Sequence, residues 1–186
     1  MPDSNNTEKR GAIVKAPTTS LQKTSSGLVR RAIQDIERLK KKVEIVIGDV
    51  NDEIIDLIAD CAREAMKGRC DINVSSFKYG EDMLEYTRSG AGDIFIIYLN
   101  NIMLRSARSF EERMENALQL VTHIKTTLGK PVIVLSSTRY ESYSIRGKLA
   151  ADFFFQMPFK YIALIASIQK CLNMLPGFEK SLGGGA

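Results

Sequence analysis

Between residues 43 and 175, short apolar runs alternate with longer stretches in which apolar side chains return every three or four positions. VEIVIG (43–48) reads as a strand. Asp49, Asn51 and Asp52 then start a helix carrying Ile54, Ile55, Ile58, Ala62 and Ala65 on one face. DINVSSF (71–77) is a second strand, and Gly80-Glu81 opens a helix with Met83, Leu84 and Tyr86. DIFIIYL (93–99) is a third strand, too uniformly apolar to keep one face wet. A polar loop, NNIMLRSARS, leads into a long helix with Met114, Ala117, Leu118, Val121, Ile124 and Leu128, which Gly129 ends. PVIVLSS is the fourth strand, and a short helix at 140–148 precedes the fifth within ADFFFQMPF. The last helix runs from about 159 to 175 with Ile162, Leu164, Ile165, Ile168 and Leu172.

Five strands alternating with helices, several of them apolar throughout, predict an α/β fold: a parallel sheet with helices on both faces. The five-stranded, flavodoxin-like order 2-1-3-4-5 accommodates five βα units without a remainder. Ligands of such sheets bind beyond the carboxyl ends of the strands. The positions to inspect are therefore 48–51, 98–101, 136–138 and 156–158.

Residues 1–26, rich in Ser, Thr, Asn, Lys and Pro without apolar periodicity, read as a flexible basic leader. Residues 27–42 form an amphipathic helix or linker: Leu28, Val29, Ala32, Ile33, Ile36 and Leu39 make one stripe that ends in three lysines. A helix this short is marginal alone in water, so the stripe is expected to dock on the main domain or on a second copy. Residues 176–186 read as a flexible tail. The chain's 186 residues and 44% hydrophobic content suit one globular domain and exclude both a wholly disordered chain and a large multidomain enzyme. The net charge of +4 is uneven, for residues 1–42 hold ten Lys/Arg against four Asp/Glu, and the remainder sixteen against eighteen.

Cys61, Cys70 and Cys171 show neither disulfide nor metal-ligand spacing, so a reduced, cytoplasmic protein without a metal or other cofactor is expected. No run approaches a membrane span, and the first residues lack a secretory signal's apolar stretch. Candidate catalysts are sparse. His123 stands on the long helix without an acid or cysteine motif around it, and Ser136-Ser137 has no GxSxG elbow. The glycines at 90 and 92 precede a strand, whereas a dinucleotide loop follows one; they read as a turn. No enzymatic activity is expected.

Taken in order, IVIGD, KYGEDMLEY, DIFIIYL, PVIVLSS and AADFFFQMPF resemble the corresponding segments of response-regulator receiver domains, the CheY-like fold, across residues 43–175. For such a domain the resemblance implies phosphotransfer from a histidine kinase to an aspartate, with magnesium at the strand ends. Carried over residue by residue, the phosphoacceptor position falls on Tyr98, the first paired acid on Gly48 and the phosphoryl-pairing lysine on Met157; Asp49 and Ser136 keep the pattern. A tyrosine side chain has no carboxylate and forms no acyl phosphate. The chain thus resembles an atypical receiver, or pseudo-receiver.

The expected function is a non-catalytic signalling or scaffold module, independent of phosphorylation, that binds a protein partner or forms a homodimer. Its interaction surface, implied by the resemblance, would carry Tyr140, Tyr143, Phe154 and Tyr161. Arg105 and Arg108 in the third-strand loop are either solvated surface or a contact for an anionic partner. Two alternatives remain: a nucleic-acid-binding regulator that uses the basic N-terminal segment, and a receiver-like module that senses a small ligand in the vacated pocket.

Overall fold

The structure, a computed structural model, describes residues 41–137 and 150–179 together with Gly27, Val29, Arg30, Ala32, Ile33 and Ile36. The chain divides into two units, Met1–Asp35 and Ile36–Ala186. In the first, the described residues from Gly27 to Ile33 are helical, and Ile36 in the second is helical too. Leu28 and Leu39 of the expected stripe lie outside the described residues, as do the basic leader, the helix expected at 140–148 with Tyr140 and Tyr143, and residues 180–186.

The second unit is built on five parallel strands, β1 (Lys42–Gly48), β2 (Asp71–Phe77), β3 (Ile94–Tyr98), β4 (Val132–Ser136) and β5 (Phe153–Gln156), in the order β2-β1-β3-β4-β5. Ile45 pairs with Ile94, Ile96 with Ile133 and Val134 with Phe154, which aligns all the strand carboxyl ends along one rim. Three described helices connect successive strands, α1 (Asp52–Met66), α2 (Gly80–Arg88) and α3 (Phe110–Thr126), and a further helix, α4 (Tyr161–Met174), follows β5.

Alternation along each strand divides the core into two layers. Ile45, Ile47, Ile94, Ile96, Ile133 and Leu135 face α1 and α4, where Ile58, Ala62, Leu164 and Ile168 cover them. Val46, Phe95, Ile97, Val132 and Val134 face α2 and α3, beneath Met83, Ala117, Val121 and Ile124. Every residue of β3 and β4 is buried, which explains why those segments show no polar alternation in sequence.

Local chemistry sets the helix ends. The Asn51 side chain accepts from the N–H groups of Glu53 (2.9 Å) and Ile54 (3.4 Å), capping α1. Ser109 accepts from Glu112 N–H at 3.1 Å and caps α3, while the Glu112 carboxylate reaches back to accept from the N–H of Arg108, the residue before the cap, at 2.7 Å. That helix ends at Thr126, short of the Leu128 expected from periodicity, because the His123 carbonyl takes the N–H groups of both Thr127 and Leu128. Gly129 then turns the chain at φ +64°, a conformation that favours glycine. Gly90 and Gly92 likewise lie at positive φ and form the expected turn before β3. Among the described residues no helix is long and apolar enough to cross a membrane.

Candidate functional site at the strand ends

The rim formed by the carboxyl ends of β1, β3, β4 and β5 gathers Gly48, Asp49, Tyr98, Asn100, Asn101, Ser136 and Met157. Asp49 follows β1 directly and its side chain is fully buried. Its Oδ1 accepts from Asn51 N–H at 2.9 Å and from the Asn101 side-chain amide at 3.0 Å, whereas Oδ2 is buried without a hydrogen-bond partner. Burial pushes the carboxyl above its ordinary range, against the opposing pull of the Asn51, Asn101 and Val50 donors.

Asn101 reaches Asp49 because the chain turns sharply after β3, with the N–H groups of Asn101 and Ile102 both donating to the Tyr98 carbonyl, at 3.1 and 3.0 Å. The preceding Asn100 faces β4. Its side-chain oxygen accepts from the Ser136 hydroxyl at 3.0 Å and from Ser137 N–H at 2.8 Å. Two adjacent asparagines thus tie β3 to β1 on one side and to β4 on the other. The sequence placed both inside the rim without assigning them a role; two carboxamides directly after a buried strand were the available signal.

Gly48 is closed in from the α2/α3 side. A Cβ built on it would stand 2.6 Å from Met83 Cε and 2.9 Å from Ile102 Cδ1, well inside ordinary contact. Met83 and Ile102 are themselves fully buried. Tyr98 points to the other layer and packs in the α1/α4 core at 7% exposure. Met157 is half-buried against that same core, its N–H donating to the Ser136 carbonyl at 2.7 Å, and the Met157–Pro158 peptide is cis.

Of the expected interaction residues, Phe154 is partly buried against the α2/α3 core, and Tyr161 is 54% exposed at the start of α4. His123 is exposed on α3, apart from the rim. Cys61 and Cys171 are buried and Cys70 is half-buried, all three free thiols; burial pushes Cys171 up to about 12. Among the described residues no group of three or more His, Cys, Asp or Glu is arranged to hold a metal ion.

No family model matches the chain, and no curated protein matches it. Solved structures do. A protein described as a response regulator from Chloroflexus aurantiacus shares 15% identity over 70% of this chain and 98% of its own, with a TM-score of 0.54. The receiver domain of NtrX from Brucella abortus shares 18% over 71% and 99%, with a TM-score of 0.53. The phosphorylated cyanobacterial phytochrome response regulator RcpA shares 17% over 72% and 93%, with a TM-score of 0.50. Together with the sheet order and the two helical layers, these matches establish that the chain carries the fold of the response-regulator receiver domains.

Proposed function

We propose that this domain is a phosphorylation-independent pseudo-receiver in two-component signalling, a non-catalytic module that acts by binding another protein chain. The observation that carries the reading is the filling of the space at Gly48. Where the resemblance calls for an acid, the volume belongs to the ends of Met83 and Ile102. The site has therefore lost more than a carboxylate, since the room for one is taken up by core.

The other positions support the same reading. Tyr98 offers a phenol packed in the core where acyl phosphate chemistry needs a carboxylate, and Met157 carries no charge to pair with a phosphoryl group. Magnesium, which the resemblance implies, does not fit the residues present. It usually takes one or two carboxylates together with phosphate oxygens. Here a single carboxylate remains, with Oδ1 engaged by Asn51 and Asn101 and only Oδ2 unpartnered, while the position of the second acid, Gly48, is closed by Met83 and Ile102.

The contact surface we assign lies at β5 and the start of α4, where Tyr161 is exposed beside Ile162, which is 80% exposed. An isoleucine left that far in water gains about 1.5–3 kcal/mol when covered, which makes it a natural anchor. Amide spectra recorded with magnesium and beryllofluoride test the phosphorylation-independent reading. The expected result is an unchanged spectrum, and specific shifts clustered at Asp49, Tyr98 and Ser136 would overturn it. The nucleic-acid alternative rests on the basic leader, which lies outside the described residues.

A further inference from the structure

The loop from β3 to α3 carries Arg105 and Arg108, which look equivalent in sequence and are not equivalent in the fold. Arg105 is fully engaged. Its two terminal nitrogens donate to Asp82 Oδ1 at 2.7 Å and Oδ2 at 2.8 Å, and its guanidinium lies 4.2 Å from the Tyr79 ring centroid. The Ser106 N–H and hydroxyl donate to Glu81, and Met103 pairs with the segment before α2 through Met103 N–H to the Lys78 carbonyl and Gly80 N–H to the Met103 carbonyl. The acids of the first turn of α2 thus pin the loop and are turned toward Arg105 and Ser106.

Beyond that clamp the loop leaves a cleft of about 360 Å³, with Arg108 and Arg113 as the charged residues of its lining and Tyr79, Met103, Leu104 and Phe110 as its main walls. No acid lines it. Neither guanidinium forms an ion pair with a described carboxylate: Glu112 is turned to the backbone of Arg108, and Glu111 and Glu115 line the next groove along α3. Arg113 instead sits 5.4 Å from the Phe110 ring centroid. Met103 is 42% and Phe110 40% exposed, so the cleft offers uncovered apolar surface next to two guanidiniums that pair with no described carboxylate.

We propose that this cleft binds a small dianion carried on a planar apolar body, the class of an aromatic phosphomonoester. A guanidinium presents a planar fork of donors that matches phosphate oxygens, and two of them suit a charge of two. Phe110 and Met103 supply the surface against which an aromatic ring stacks. The volume lies near the lower end of the roughly 300–1,000 Å³ typical of small-molecule sites, which favours one ring and one anionic group over a longer ligand. None of the residues lining the cleft is one of the strand-end positions carried over from the receiver pattern, so the inference stands whether or not the domain proves to be phosphorylation-independent.

The test is a titration of the isotope-labelled full chain with phenyl phosphate, with inorganic phosphate as the comparator. Saturable amide shifts confined to Tyr79 and the 103–113 segment are expected, with inorganic phosphate binding more weakly because it leaves the apolar wall uncovered. The double variant Arg108→Gln, Arg113→Gln is expected to weaken phenyl phosphate binding by about tenfold or more, through loss of charge-assisted hydrogen bonds, while the rest of its spectrum stays native. Phe110→Ala separates the two halves of the site, lowering affinity for phenyl phosphate but not for inorganic phosphate. An absence of saturation, an undiminished response in the double variant, or shifts scattered over the surface lysines would overturn the proposal. Equal binding of phosphate and phenyl phosphate would overturn its aromatic part.

Discussion

Gly48→Ala tests directly whether the strand-end site is filled by core. The new methyl would stand 2.6 Å from Met83 Cε and 2.9 Å from Ile102 Cδ1, about 1 Å inside the roughly 3.5–4.0 Å of a relaxed carbon contact. Both neighbours are side-chain ends, and methionine is adaptable, so the strain falls toward the low end of the overpacking range, about 1–2 kcal/mol. Gly48 is not at positive φ, so alanine also regains about 0.5 kcal/mol by restricting the unfolded chain. The net expectation is a loss of about 1 kcal/mol, or about 4 °C in Tm for a domain of this size. A double-mutant cycle with Met83→Ala isolates the contact. Alone, Met83→Ala opens a cavity costing about 2–5 kcal/mol. With alanine at 48, part of that space is already filled and the strain is gone, so its cost falls by about 1 kcal/mol. Urea unfolding of the four proteins measures this, provided that the m-values agree. A neutral or stabilising Gly48→Ala, together with an unchanged Met83→Ala cost in both backgrounds, would refute the reasoning.

Three further outcomes follow from individual side chains. Because burial raises the folded-state pKa of Asp49, its carboxyl is destabilising once pH exceeds the unfolded value near 3.8, and that penalty grows until the folded carboxyl has titrated. Asp49→Asn is therefore expected to gain stability over the wild type between about pH 3.5 and pH 7, and a difference independent of pH in urea titrations would contradict this. Burial also pushes Glu44 up, but the Tyr86 hydroxyl, Gly92 N–H, Ser75 and Asn73 outweigh it, leaving the carboxyl below its ordinary 4.5. Its stabilisation is present above that value and fades as pH falls through the folded pKa. Tyr86→Phe should accordingly cost about 1 kcal/mol at neutral pH and little in acid, as read by thermal unfolding at both. Ile162→Glu, at an 80% exposed position, should move stability by no more than about 0.5 kcal/mol. If the partner is a second copy, sedimentation shows the full chain above monomer mass and the variant returned to it; a monomeric wild type or an unmoved mass counts against a second copy at this face.

Much of the framework was legible along the chain, because burial on both faces leaves its mark on the strands themselves. IFIIY and VIVLS contain no polar residue that could face water until the final tyrosine and serine, so β3 and β4 followed directly. Asn51 and Gly129 announced a helix start and a helix end through their own backbone chemistry. The end of α3 was misplaced by two residues because periodicity records which side chains face the core, whereas the helix stops where one carbonyl takes two N–H groups.

What the sequence determined by itself was local: the alternation of strands and helices, the apolar faces, and which residue types stand at the strand ends. The tertiary structure decided what those residues meet. That Gly48 is covered by Met83 and Ile102, residues 35 and 54 positions away, follows from α2 and the β3 loop packing together over β1. That the Arg105 guanidinium is clamped while that of Arg108 is not depends on Asp82, 23 residues before Arg105 and on a different element. Neither outcome has a local signature, because a side chain's partners are set by the packing of whole elements, and charge compensation is a property of three-dimensional neighbours.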